Sequence, residues 1–239
     1  MLPKIEHPTY SFYIKSLDRK VKFRPFLVKE EKVLLMAKES ADEDSIKESI
    51  TQIITNCAQE PIDVDKLPMF DIEMIFLMLR AKSIGEKVKL TFTCQNVVDG
   101  VECGGDTNYT LDLEKVKYEI PEGHDPKVML TDVIGIKLKY PTIATQINLV
   151  EGEDEYVEFL AALIANIEYI FDAESVYPPD KATPEELAEW LGDLSLTAIE
   201  QIKGFYTTSP KVVLEDQVKC SKCGFEHTIH SENLLDFFI

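Results

Sequence analysis

Two stretches decide how this chain is read: Lys89-Leu-Thr-Phe-Thr-Cys94-Gln-Asn-Val-Val-Asp-Gly-Val-Glu-Cys103-Gly104-Gly105 and Gln217-Val-Lys-Cys220-Ser-Lys-Cys223-Gly224-Phe225. Each pair of cysteines sits at the tip of a candidate β-hairpin, flanked by residues 86–93 and 107–113 in the first case and by 212–219 and 225–230 in the second. In both, Gly follows the second Cys, where the chain must turn with positive φ and expose its amides to sulfur. Two hairpins bringing four Cys together is the arrangement that tetrahedral structural zinc uses in ribbon-type sites.

Cys220-Ser-Lys-Cys223-Gly224 reads well as a zinc knuckle. The first pair is looser, with eight residues between Cys94 and Cys103 where about two to four are usual. A whole helical segment also separates the two pairs. Reduced structural thiols or a disulfide are therefore alternative readings. So is a mixed Cys/His site, because His227 and His230 follow Cys223 closely; on a strand those two positions point to opposite faces, so both cannot easily reach one ion. If Cys94, Cys103, Cys220 and Cys223 hold zinc together, four thiolates close its shell and leave no place for water. Such a site is architectural and pins the end of the chain to its middle. In small peptides structural zinc contributes on the order of 10–16 kcal/mol of apparent folding energy.

A chain of 239 residues, 45% of them hydrophobic, has room for one large domain or two small ones with a real core. Five Cys without a secretory signal predict a reducing compartment. No apolar run reaches the ~18 residues that a membrane-spanning helix needs. The formal net charge of −18 argues against gripping a nucleic-acid backbone, and the largest basic cluster runs only from Lys15 to Arg24. Neither nucleic acid nor a membrane is an expected partner.

Taken in order, Tyr10–Ile14 and Lys20–Arg24 read as a hairpin stopped by Pro25. Helices follow over about 29–39, with Glu30 and Glu31 favourably placed in the first turn, and from Asp42 or Asp44 to about Cys57. Cys57 falls on the apolar face of the second and reads as a buried core thiol. Asp63 and Asp65, in a turn-rich connection, read as solvated caps. The run from Met69 to Ser83 is apolar nearly all round, which places it in the core or in a partner. After the first Cys hairpin come a loop over 119–125, a strand over 133–140, a short helix over 142–149 and a helix over 156–171. Residues 177–180 are a Pro-rich turn. Thr183-Pro184-Glu185-Glu186 has the pattern of a capping box, and Ser195 caps the next helix, to about Phe205. The tail Leu234-Leu-Asp-Phe-Phe-Ile239 either packs back on the domain or docks into a neighbour.

Phosphate loops, Gly-x-Ser-x-Gly and His-Glu-x-x-His are absent, and the four His (His7, His124, His227, His230) have no evident nucleophile beside them. No catalytic residue and no small-molecule substrate is assigned. The fold expected is α+β: helical segments with an N-terminal β-hairpin and a bipartite zinc-ribbon-like β element. Residues 1–28 form the hairpin, 29–85 a helical segment, 86–118 plus 211–239 the ribbon lobe, and 119–210 a mixed strand and helical insertion.

Several stretches resemble the baseplate hub subunit of T-even-type contractile-tailed phages: Lys22-Phe-Arg-Pro-Phe-Leu-Val-Lys-Glu-Glu-Lys32, Leu34-Leu-Met-Ala-Lys-Glu-Ser40, Phe70-Asp-Ile-Glu73 and Leu79-Arg-Ala-Lys-Ser83. Leu130-Thr-Asp132, Lys139-Tyr-Pro-Thr142, Cys220-x-x-Cys223-Gly-Phe-Glu-His227 and Asp236-Phe-Phe238 share the resemblance, which is weakest over 150–210. It implies a non-enzymatic morphogenesis protein that contacts other hub and tail proteins, made in the host cytoplasm and carried in the virion or acting in assembly. Two readings compete with it. One is a zinc-ribbon regulatory module on transcription or RNA, which the acidity opposes. The other is a hydrolase with an unrecognised site.

Overall fold

The aromatic and β-branched residues of Tyr10–Ile14 alternate inward and outward, and the chain pairs with itself as soon as a turn allows. In the computed structural model, which describes residue 3 and residues 5–40, 43–145 and 153–231, these residues form β1 (Tyr10–Ile14), paired antiparallel with β2 (Arg19–Phe23). Three helices follow: α1 (Val28–Ser40), α2 (Glu43–Cys57) and α3 (Met69–Ser83). Next come β3 (Lys87–Thr93), β4 (Val97–Val98), β5 (Val101–Glu102), β6 (Asp106–Asp112), β7 (Lys117–Glu119), β8 (Lys127–Met129) and β9 (Gly135–Leu138). The chain continues through α4 (Glu153–Ala165), β10 (Ile167–Phe171), β11 (Val176–Tyr177), α5 (Pro184–Gly192) and α6 (Leu196–Thr207). It closes, among the described residues, with β12 (Lys211–Lys219) and β13 (Glu226–Ser231). The fold class is α+β, with several small antiparallel sheets. No described helix is long and apolar enough to cross a membrane.

The described residues divide into two compact units, one made of those up to Val64, Phe70–Glu119 and those from Lys211, the other of 65–69 and 120–210. In the first unit, Phe12, Ile14, Val21 and Phe23 point inward from the β1–β2 hairpin, with Phe12 and Phe23 stacked at 5.3 Å. The apolar run of α3 is core: Ile72, Ile75, Phe76, Leu77 and Leu79 are buried, each contributing about 1.5–3 kcal/mol. Asp71 on the same helix is also buried, and its carboxylate accepts from Lys15 N (3.0 Å), Ser16 N (2.9 Å) and the Tyr118 hydroxyl (2.7 Å). It thereby ties the β1–β2 turn and β7 to α3. A buried carboxylate is tolerated where donors surround it in this way. Cys57 is the buried core thiol its position predicts, and burial pushes its pKa up to about 11.

This unit is discontinuous in sequence. The chain leaves it after β7 and returns in β12, which pairs with β7 through Lys211↔Glu119, Val212↔Tyr118 and Val213↔Lys117. β12 then turns into β13, giving a three-stranded sheet of order β13-β12-β7. The β3–β6 ladder is a separate two-stranded sheet, with the short β4–β5 hairpin between its ends.

The second unit is a four-stranded sheet of order β11-β10-β9-β8, with α4, α5 and α6 contributing to its core around Phe159, Leu163, Leu187, Leu191, Ile199, Ile202 and Phe205. The capping box reads out in full: Glu186 N donates to Thr183 Oγ1 at 3.1 Å, and Thr183 N donates to Glu186 Oε2 at 2.8 Å. Ser195 likewise caps α6. The helix expected over 156–171 is a correction. It stops at Ala165, and Ile167–Phe171 is a strand paired with β9. Asn166 makes the break. Its side-chain amide donates to Ala162 O and Thr145 O, both at 2.8 Å, and its Oδ1 accepts from Thr145 Oγ1 at 2.9 Å, supplying the helix end with a partner. The β-branched and aromatic sequence that follows fits a pleated surface better than another turn of helix. Strands β7, β8 and β11 are further additions to the expected elements. The last half of the helix expected over 142–149, the Asp42 cap and the tail 234–239 lie outside the described residues.

Candidate metal centre

Each pair of cysteines is carried by a ladder that the sequence makes strongly. Along β3–β6, Lys87 to Thr93 pair in unbroken register with Asp112 to Asp106, which brings Cys94 and Gly105 together: Cys94 N donates to Gly105 O at 2.9 Å. Between them the excursion through β4 and β5 returns Cys103, whose N–H donates to Asn96 O at 2.7 Å. Along β12–β13 the ladder ends at Lys219↔Glu226. Cys220 and Cys223 occupy the turn, closed by Cys220 N to Phe225 O at 2.8 Å and Gly224 N to Cys220 O at 3.0 Å. Gly104 and Gly224, each after the second Cys of its pair, have φ of +56° and +74°, the left-handed conformation predicted for them.

The two tips meet. Ser221 N donates to Thr107 Oγ1 at 2.9 Å and Ser221 Oγ to Asp106 O at 3.0 Å. Gly105 packs so closely that a Cβ there would lie 2.7 Å from Lys222 Cβ and 3.2 Å from Cys220 Sγ. The sulfurs of Cys94, Cys103, Cys220 and Cys223 all lie within 4.8 Å of one another. Cys94 Sγ and Cys223 Sγ are 3.6 Å apart, and Cys103 Sγ and Cys220 Sγ are 3.8 Å apart. A tetrahedron with zinc–sulfur bonds of about 2.3 Å has edges of about 3.8 Å, so the cluster has the size of such a shell. All five cysteines are free, and a disulfide would need its sulfurs at about 2.05 Å. His227 stands beside the cluster, with Nε2 at 3.0 Å from Cys94 Sγ. The side chain of His230 is outside the described residues.

The surroundings act on the four sulfurs unequally. The Lys222 amide lies 3.4 Å from Cys220 Sγ, and the backbone amides of Asn96, Gly105 and Phe225 act to lower the pKa of Cys94, Cys103 and Cys223. The Cys223 amide adds a second donor to Cys220 at 3.5 Å. Thiol sulfur is a weak acceptor, whereas thiolate sulfur accepts strongly. The Cys223 amide holds the Cys220 thiol well below the ordinary thiol range, and the Phe225 amide lowers Cys223. Burial pushes Cys94 and Cys103 the other way. Four adjacent thiolates repel one another, and a divalent cation is the chemistry that lets all four ionise together. The four cysteines can thus hold a metal ion.

The approach of His227 to Cys94 was not legible in the Cys pattern, since it depends on turn geometry. The Asp71 junction was missed as well. Its only trace in sequence is an acidic residue in the first turn of a largely apolar helix.

A family model described as T4 bacteriophage base plate protein matches residues 7–239. No curated protein and no solved structure matches the chain.

Proposed function

The chain belongs to the T4 bacteriophage base plate protein family, and from that membership we propose that it is a non-enzymatic subunit or assembly factor of the base plate hub. It works by binding other hub and tail proteins, in the host cytoplasm during assembly and in the tail of the virion. The observation that carries this reading is the extent of the family match, residues 7–239. The hub assignment draws on the resemblance in Lys22–Lys32, Phe70–Glu73 and Leu79–Ser83. Within this role Cys94, Cys103, Cys220 and Cys223 bind one structural zinc ion. With four protein ligands the ion has no open position for water or substrate, so it fixes shape and does no chemistry.

Two experiments test the proposal. A phage carrying a stop codon in this gene is expected to yield no complete base plates by electron microscopy, and wild-type protein supplied in trans restores them. Normal base plates in the absence of the protein would sink the assembly role. Protein purified without added zinc is expected to contain one zinc per chain by mass spectrometry, lost when each of the four cysteines is changed to Ser. A metal-free wild-type protein would remove the zinc assignment and leave the family membership intact.

A further inference from the structure

We propose that His227 is a positioning residue of the metal centre, donating its Nε2–H to the Cys94 thiolate and moderating that ligand alone. The inference rests on the zinc reading above and deepens it. Its geometric basis is the 3.0 Å approach of Nε2 to Cys94 Sγ. The ring is not free to drift. The Phe92 ring packs on it at 4.8 Å and the Phe225 ring at 4.7 Å, so it is held between a residue of β3 and one of the knuckle. His227 also sits within the β12–β13 ladder, paired with Val218, which fixes the backbone from which the ring projects.

The four sulfurs are not equally provided for. Cys220 accepts from two amides, and Cys223 from the Phe225 amide with the Asn96 side-chain amide 3.8 Å away. Cys94 is wholly buried, and its one backbone donor is Asn96. A second donor from His227 withdraws charge from the sulfur, steadies its direction, and occupies the lone pair an electrophile would attack. The tautomer that carries hydrogen on Nε2 makes this bond. His227 therefore belongs to the shell around the ligands and is not itself a ligand.

Cobalt(II) in place of zinc provides the test, because its sulfur-to-metal charge-transfer band reports charge on the thiolates. His227→Leu is expected to move that band to lower energy, weaken zinc about 10–100-fold by chelator competition, and speed alkylation of Cys94 in the zinc-loaded protein. His227→Gln places an amide N–H where Nε2 was and is expected to restore the wild-type band. A Leu variant that binds cobalt with an unshifted band and unchanged alkylation overturns the proposal. So does loss of cobalt in the Leu variant without recovery in the Gln variant, which would make the ring a packing element. Charge-transfer intensity in the wild type that scales with three thiolates would make His227 a ligand and overturn it too. Wild-type protein that takes up no cobalt refutes the zinc reading itself, a separate and recognisable outcome.

Discussion

Helix α3 carries two carboxylates two positions apart in opposite surroundings. Asp71 is met by three donors, whereas Glu73 is half-buried and makes no hydrogen bond or ion pair with any described residue. Burial pushes the Glu73 carboxyl from its ordinary 4.5 up to about 7. The folded state thus holds this proton more tightly than the unfolded state does. The associated stability is complete below about pH 4.5, declines as pH rises, and is fully lost above about pH 7. At about 1.36 kcal/mol per pH unit the gap amounts to about 3 kcal/mol, part of which residual solvent contact screens. Glu73→Gln keeps the shape and removes the charge. It is therefore expected to stabilise the protein by about 1–3 kcal/mol at pH 8, with the gain shrinking below ~1 kcal/mol at pH 5. Urea unfolding followed by far-ultraviolet circular dichroism at the two pH values measures this. The titrating thiols are common to both proteins and cancel in the difference. A Gln variant no more stable than wild type at pH 8, or a gain independent of pH, would refute the reasoning.

Three further outcomes are expected. Asp71→Asn turns a donor toward one of the two backbone amides that Asp71 now satisfies and should cost about 2–4 kcal/mol in urea unfolding; a cost under about 1 kcal/mol would mean the junction is dispensable. Gly105→Ala forces a Cβ against Lys222 and Cys220 Sγ and should weaken zinc by about tenfold or more in chelator competition; unchanged affinity would contradict the close approach. Thr183→Ala removes half of the capping box of α5 and should cost about 1 kcal/mol, read by the fluorescence of Trp190 on the same helix during unfolding.

Much of the fold was legible because local signals and tertiary demands agree. The all-round apolar character of Met69–Ser83 predicts a buried helix, Thr183 and Glu186 predict a helix start, and Gly after Cys103 and after Cys223 predicts two turns of one hand. Each is a short-range pattern with a single structural solution. The failures lie where the deciding contact is distant. Ile167 continues the helical spacing of Phe159, Leu160, Leu163 and Ile164, and nothing nearby announces that Asn166 will reach Thr145 and end the helix. Lys117–Glu119 becomes a strand only because Lys211–Val213 arrives beside it. The candidate site divides in the same way: its four sulfurs could be read from spacing and glycines, but the His227 contact depends on which residues of two remote hairpins meet.

The discontinuous first unit also has a consequence for how the protein is made. Cys103 and Cys220 are 117 positions apart, an interval the ribosome needs roughly 6–23 s to add at about 5–20 residues per second. Throughout that time the first pair of thiols waits on a nascent hairpin, and β7 has no β12 beside it. Residues 120–210, with a hydrophobic core of their own, are fully synthesised before the first unit can close. A thiol-reactive label added to nascent chains should therefore reach Cys94 in chains stopped before Cys220 and miss it in full-length protein; equal labelling would argue against this order. The part synthesised first is the part finished last, and a chain terminated early is left with an open sheet and two reactive sulfurs for proteases and oxidants to find.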